Sequence, residues 1–141
     1  MKAKAATSPA RRIINSFKNA QSFSSFSVND LKRAKQFYGE SLGLEVSETP
    51  EGLELNLADG PNVFIYPKPN HTPASFTVLN FKVNDIRETL DELNSLGINL
   101  EHYNQPDLKT DQNGILSDGG MKIAWFKDSA GNVLSIIESD R

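Results

Sequence analysis

The chain of 141 residues contains no cysteine, a single tryptophan and only two histidines. Without thiols it can form no disulfide, thiolate metal site or cysteine nucleophile, and a cytoplasmic location is the expectation. It has no run of eighteen apolar residues, so no membrane span is predicted, and no apolar segment near the start reads as a secretion signal. Also missing are a Gly-rich phosphate loop followed by Lys-Ser or Lys-Thr, a Gly-x-Ser-x-Gly elbow, and a Ser with a His partner at recognisable positions. Of the two histidines, His71 lies among prolines and reads as a solvent-facing or turn-stabilising residue. His102, beside Tyr103 near the expected end of a strand, can face either way.

Acid is absent from the first twenty residues, which hold Lys2, Lys4, Arg11, Arg12 and Lys18. That leaves ten bases against eighteen acids in the remaining 121 residues, a balance of −8. A body so acidic is a poor partner for nucleic acid, which calls for a basic stripe. Residues 1–20 read as a basic N-terminal extension in which Ile13, Ile14 and Phe17 alone can form a short apolar stripe. With 38% hydrophobic residues, the remainder, 21–141, suits a single domain with a real core.

What the chain does contain is a repeat. Phe26-Ser27-Val28-Asn29-Asp30-Leu31 returns as Phe81-Lys82-Val83-Asn84-Asp85-Ile86, and Ser41-Leu42-Gly43-Leu44 returns as Ser95-Leu96-Gly97-Ile98. Two matches in order imply two similar supersecondary units. The first, residues 21–67, reads as a strand from Gln21 to Val28, then a helix opened by Asn29 or Asp30 with Leu31, Ala34, Phe37, Tyr38 and Leu42 on its buried side. Gly43 ends that helix, and strands follow at Leu44 to Ser47, Leu53 to Leu57 and Asn62 to Tyr66, separated by turn chemistry. Pro67 to Pro73, with three prolines, reads as a stiff extended connector.

The second unit, residues 75–141, repeats the order: a strand from Ser75 to Val83, then a helix from Asp85 that buries Ile86, Leu90, Leu93 and Leu96 and stops at Gly97. Strands are expected at Ile98 to Tyr103, Met121 to Phe126 and Asn132 to Glu138, with a long polar loop from Asn104 to Gly120.

Side chains alternate across a strand. Phe26 and Val28, like Leu79, Phe81 and Val83, are uniformly apolar and face the helices. The opposite faces carry Phe23, Ser25 and Ser27 in the first unit and Val78, Asn80 and Lys82 in the second. A helix-free, partly polar face of this kind suits a small-molecule groove, a partner chain, or both.

Two strand-helix-strand-strand-strand units with these anchors resemble the vicinal oxygen chelate superfamily, which includes glyoxalase I, extradiol dioxygenases and bleomycin-resistance proteins. Phe37-Tyr38-Gly39-Glu40-Ser41-Leu42-Gly43-Leu44 is similar to the family's Phe-Tyr-x-x-x-Leu-Gly-Leu segment. Trp125-Phe126-Lys127-Asp128-Ser129-Ala130-Gly131-Asn132 resembles its Phe-x-Asp-Pro-x-Gly-Asn turn. The resemblance covers about residues 21–138 and implies an α+β fold in which two βαβββ modules form a curved, mostly antiparallel eight-stranded sheet. Such a fold hosts enzymes and pure binders alike.

Family enzymes hold a divalent metal with His or Glu from the first and fourth strands of the units. The resemblance carries those positions onto Phe23, Val78, Ser135, and Phe64 or Tyr66. None offers the imidazole or carboxylate that such metals favour, so no metal and no cofactor is expected. Glu138 has the wrong strand parity to substitute. The groove candidates are Phe23, Ser25, Phe64, Tyr66, Val78, Asn80, Tyr103, Trp125 and Ser135. The expectation is a homodimer that binds a small organic molecule, as bleomycin-resistance proteins do. The alternative is a lyase, isomerase or dioxygenase of the same superfamily, with Tyr103 and Lys122 as acid-base candidates.

Overall fold

Asp30 and Asp85 occupy equivalent places in the repeat, and both cap a helix in the computed structural model, which describes residues 15–139. The Asp30 carboxylate accepts a hydrogen bond from the Arg33 amide at 3.1 Å, and Asp85 accepts from the amides of Arg87 and Glu88 at 3.0 and 3.2 Å. These bonds satisfy donors that a helix start leaves without partners. Gly43 (φ 75°) and Gly97 (φ 77°) close the two helices in the left-handed region that glycine tolerates best.

One helical turn, α1 (Asn15–Lys18), precedes the first module. That module runs through β1 (Ser24–Val28), α2 (Leu31–Lys35), β2 (Glu45–Thr49), β3 (Gly52–Asn56) and β4 (Val63–Pro67). The second has β5 (Thr77–Lys82), α3 (Ile86–Ser95), a hairpin of β6 (Asn104–Gln105) and β7 (Leu108–Lys109), then β8 (Leu116–Asp118), β9 (Met121–Lys127) and β10 (Val133–Ser139). Ile13, Ile14 and most of the basic extension lie outside the described residues. Among the described residues no helix is long and apolar enough to cross a membrane.

The α+β class and the shared βαβββ order are as expected. Strand order is β1-β4-β3-β2 in one sheet and β5-β10-β9-β8 in the other. In each, the first strand pairs in parallel with the last, and the remaining long pairs are antiparallel. Hydrogen bonding divides the eight strands into two four-stranded sheets rather than one, with β1 and β5 both at edges. On β1 the Ser27 carbonyl is occupied by the Asn132 side-chain amide at 2.9 Å rather than by a neighbouring strand.

Four expectations need correction. The first helix does not stay α-helical, because Gln36–Ser41 widens into a π-helical turn that ends with the Leu42 amide bonded to the Phe37 carbonyl at 2.9 Å. This turn carries Tyr38, which is fully buried. Secondly, Ile98 to Tyr103 is not a strand. It makes only an isolated bridge between Leu100 and Phe126, and the sheet position goes to β8, inside the stretch expected to be a polar loop. Buried Ile115 anchors that stretch, and the Asp111 carboxylate accepts from the amides of Asn113 and Ile115 at 2.8 and 2.9 Å. Thirdly, the connector bends instead of extending: the His71 amide bonds the Lys68 carbonyl at 3.0 Å. Lastly, Leu96 is 51% exposed, since α3 ends one residue before it.

The core lies between the helices and the inward sheet faces. It joins Phe26, Val28, Leu53, Leu55 and Ile65 of the first module to Ile86, Leu90, Ala124, Phe126, Leu134 and Ile136 of the second. The rings of Phe37 and Phe126, 6.5 Å apart, cross between the modules.

Candidate functional site

Strand register sets out the helix-free face of the first sheet. Ser25 pairs with Phe64 and Ser27 with Tyr66 across β1 and β4, and Glu54 of β3 lies opposite Phe64. Adjacent residues in register share a face, so this surface carries Phe23, Ser25, Phe64, Tyr66 and Glu54. The Phe64 and Tyr66 rings stack at 6.3 Å with an 18° interplanar angle. Phe23 is 69% exposed. A cavity of about 480 Å³ opens over Phe23, Glu54 and Phe64.

The second sheet repeats the arrangement with different chemistry. Ser135 pairs with Asn80 across β10 and β5 and with Trp125 across β10 and β9. The Trp125 indole donates to Thr77 Oγ1 at 3.1 Å, and its ring meets Tyr103 edge-on at 5.5 Å. Ser135 is buried, and its hydroxyl is bonded to Asn80 Oδ1, so it supports the face from below. Val78, expected in the groove, is half-buried and packs against the core, because it is the extra residue where the register of β5 against β10 shifts. The candidates therefore form two sets, one on each sheet. Among the described residues no hydrogen bond or ring contact joins one set to the other.

Glu54 and Thr77 were not singled out from sequence. The alternation Leu53-Glu54-Leu55 carries the signal for Glu54. Thr77 had none, since its role depends on the irregularity that shifts the register of β10 against β5.

His71 has a different role from either sheet face. Its Nε2 lies 3.0 Å from the Ala130 carbonyl oxygen, which can only accept, so Nε2 carries a proton, and its Nδ1 lies 2.7 Å from the Ser27 hydroxyl. The half-buried ring therefore ties β1 to the turn between β9 and β10, consistent with the turn-stabilising reading. Asp128 heads that turn. One of its oxygens accepts from the Ala130 and Asn132 amides at 2.8 and 2.9 Å, and the other from the Tyr38 hydroxyl at 2.6 Å and the Asn132 side chain at 3.0 Å. Burial, then the Asp128 charge and hydrogen bond, push the Tyr38 phenol far above its usual range. The Phe-Tyr segment and the Asp-to-Asn turn thus form the fastening between the modules.

The positions onto which the resemblance carries the family's metal ligands hold a benzyl group at Phe23, an isopropyl group at Val78, a buried hydroxyl at Ser135, and the ring of Phe64 or Tyr66. This set does not fit a divalent metal, which needs imidazole or carboxylate ligands. Among the described residues no three His, Asp or Glu side chains gather as a ligand set. Glu138 faces the helix side, where it accepts from the Ile86 amide at 2.8 Å and approaches Lys122 at 3.9 Å. Lys122 is therefore turned away from the open face. Burial, then the Glu101 charge, raise the Tyr103 phenol above its ordinary value. It stays protonated near neutral pH.

Comparison with known proteins agrees with this architecture. The chain is 27% identical over 124 residues to the uncharacterized protein YraH of Bacillus subtilis (strain 168), a match spanning 77% of this chain and 90% of the relative. A glyoxalase family protein from Bacillus anthracis superposes with a TM-score of 0.64 at 22% identity, over 86% of this chain and 97% of that one. TnmS3, an antibiotic binding protein from Streptomyces sp. CB03234, superposes with a TM-score of 0.59 at 21% identity, over 86% and 98% of the two chains. The family model of the Glyoxalase/Bleomycin resistance protein/Dioxygenase superfamily matches residues 21–136. With that match and the repeated βαβββ module, the chain belongs to the glyoxalase/bleomycin resistance protein/dioxygenase superfamily.

Proposed function

We propose that this protein binds a small organic molecule on the helix-free faces of its sheets, and that two copies pair to close the groove. The observation that carries the reading is the chemistry of those faces. The positions that the resemblance assigns to metal ligands carry aromatic rings, an isopropyl group and one buried hydroxyl, and the faces around them hold the stacked Phe64–Tyr66 pair and the Trp125–Tyr103 pair. Such surfaces bind flat organic molecules through apolar contact, with a few polar groups to orient them. The structural likeness to an antibiotic binding protein is in keeping with this reading. Exposed Phe23 and Phe76, both 69% accessible, give a second copy apolar surface to cover. The same reading takes residues 21–141 as one domain, with 1–20 as an extension, working in the cytoplasm.

Trp125 is the only tryptophan, so intrinsic fluorescence reports on the second sheet face. A library of aromatic and heteroaromatic compounds, screened by thermal shift and then titrated against this signal, is expected to yield saturable ligands. Tyr103→Ala should weaken their binding at least about tenfold, as for a truncated interface aromatic. A library without a saturable ligand, or ligands indifferent to both Tyr103→Ala and Phe64→Ala, would sink the proposal. Sedimentation at micromolar concentration is expected to give a dimer, and a clean 15.6 kDa species would overturn the pairing.

A further inference from the structure

The cavity over the first sheet has a one-sided charge. Its lining includes Phe23, Glu51, Glu54, Pro61, Asn62 and Phe64, and no lysine or arginine. The Thr49 hydroxyl accepts from the Glu51 and Gly52 amides at 3.2 and 3.0 Å, which fixes the turn that sets Glu51 at the rim. Glu54 lies on β3, directly opposite Phe64. Two bases of the first module are engaged elsewhere: Lys35 pairs with Glu48, and Lys68 bonds Asn70. Among the described residues neither the Glu51 nor the Glu54 carboxylate has a hydrogen-bond or ion-pair partner.

The same cavity has an aromatic wall. Phe23 stands 69% exposed, and Phe64 is stacked on Tyr66. Aromatic faces attract cations as well as flat apolar groups, and two unpaired carboxylates repel anions. A volume of about 480 Å³ lies within the range of small-molecule sites.

We infer that the ligand taken at this cavity is a planar aromatic cation, with its ring against Phe23 and Phe64 and its positive charge toward Glu54 and Glu51. The inference rests on the reading of the open faces as a ligand groove, and it adds the charge class and the residues that select it.

Three acridines of the same ring size but different charge at neutral pH test it: 9-aminoacridine (cation), acridine (neutral) and acridine-9-carboxylate (anion), each titrated calorimetrically into the full chain. The expected order of affinity is cation, then neutral, then anion, with the cation about tenfold tighter than the neutral ring and weakened by added salt. Glu54→Gln should lower 9-aminoacridine affinity about five- to tenfold and leave acridine unchanged. Phe64→Ala should weaken both. Equal binding of cation and neutral ring, with no effect of Glu54→Gln, would overturn the charge class while leaving the groove intact. Binding indifferent to Phe64→Ala, or no binding of any acridine, would overturn the site itself, leaving the Trp125 titration to judge the wider reading.

Discussion

Removing the Asp128 carboxylate tests whether the fastening between the modules holds the fold. The carboxylate accepts four hydrogen bonds, from the Tyr38 hydroxyl, the Ala130 and Asn132 amides and the Asn132 side chain, and it is 7% exposed. Asp128→Ala leaves these donors without their acceptor. A buried unsatisfied group costs about 1–3 kcal/mol, but water entering at the turn can satisfy the two amides. The expected loss is therefore about 3–5 kcal/mol, a large share of the ~5–15 kcal/mol that stabilises a typical domain. Tyr38→Phe removes one charge-assisted bond and should cost about 1.5–3 kcal/mol. The two substitutions share that bond, so the double variant should be less destabilised than the sum by about 1–2 kcal/mol. Urea unfolding followed by far-UV circular dichroism measures all three. An Asp128→Ala cost below about 1 kcal/mol, or strict additivity in the double variant, would refute the reasoning.

Alkaline stability follows from the same pair. Because the folded protein holds the Tyr38 proton more tightly than the unfolded chain does, the contribution is whole below the unfolded tyrosine pKa of about 10 and is lost as pH rises beyond it, by up to ~1.4 kcal/mol per pH unit. Tyr38→Phe should show a correspondingly shallower fall in urea stability above about pH 10. At Gly52 an added Cβ would lie 2.2 Å from the Ile65 carbonyl oxygen, whereas at Gly60 (φ 98°) it would meet nothing within 4 Å. Gly52→Ala should therefore cost at least about 2 kcal/mol, against ~1 kcal/mol for the left-handed strain of Gly60→Ala, as read from denaturation midpoints. His71→Ala removes the bridge from Ser27 to Ala130 and should cost about 1–2 kcal/mol by the same assay. The backbone amides of Ile115 and Asn113 hold the Asp111 carboxyl below its usual range, so its anchoring is lost as pH falls through that depressed value. Asp111→Ala should speed hydrogen exchange at those two amides at neutral pH while leaving β9 and β10 protected.

Local chemistry that repeats was readable in advance. The Asp30 and Asp85 caps, the Gly43 and Gly97 stops and the alternation along β1 and β5 all depend on residues near one another in sequence. Strand parity also placed Asn80 on the open side of the second sheet, and Glu138 on the opposite side from Ser135. What escaped was set by partners far along the chain. The π-helical turn of α2 carries a tyrosine whose partner, Asp128, is ninety residues away. The connector bends because His71 fits between Ser27 and Ala130, which nothing in a proline-rich stretch announces. Ile98 to Tyr103 has the composition of a strand, but β8 fills its place in the sheet, supported by Ile115 and the Asp111 turn. Ser135 had the right parity, but its burial could not be foreseen without knowing what covers it.

The central claim is that the open faces are an organic-ligand surface and not a metal centre. Equilibrium dialysis of the full chain, purified without chelator, against Zn²⁺, Ni²⁺, Mn²⁺ and Fe²⁺ in turn, followed by elemental analysis, tests it most directly. With Phe23, Phe64, Tyr66, Val78 and Ser135 at the positions the resemblance assigns to metal ligands, metal is predicted far below one equivalent per chain with every ion. One tightly held equivalent of any of them would contradict the account and direct attention to metal-dependent chemistry.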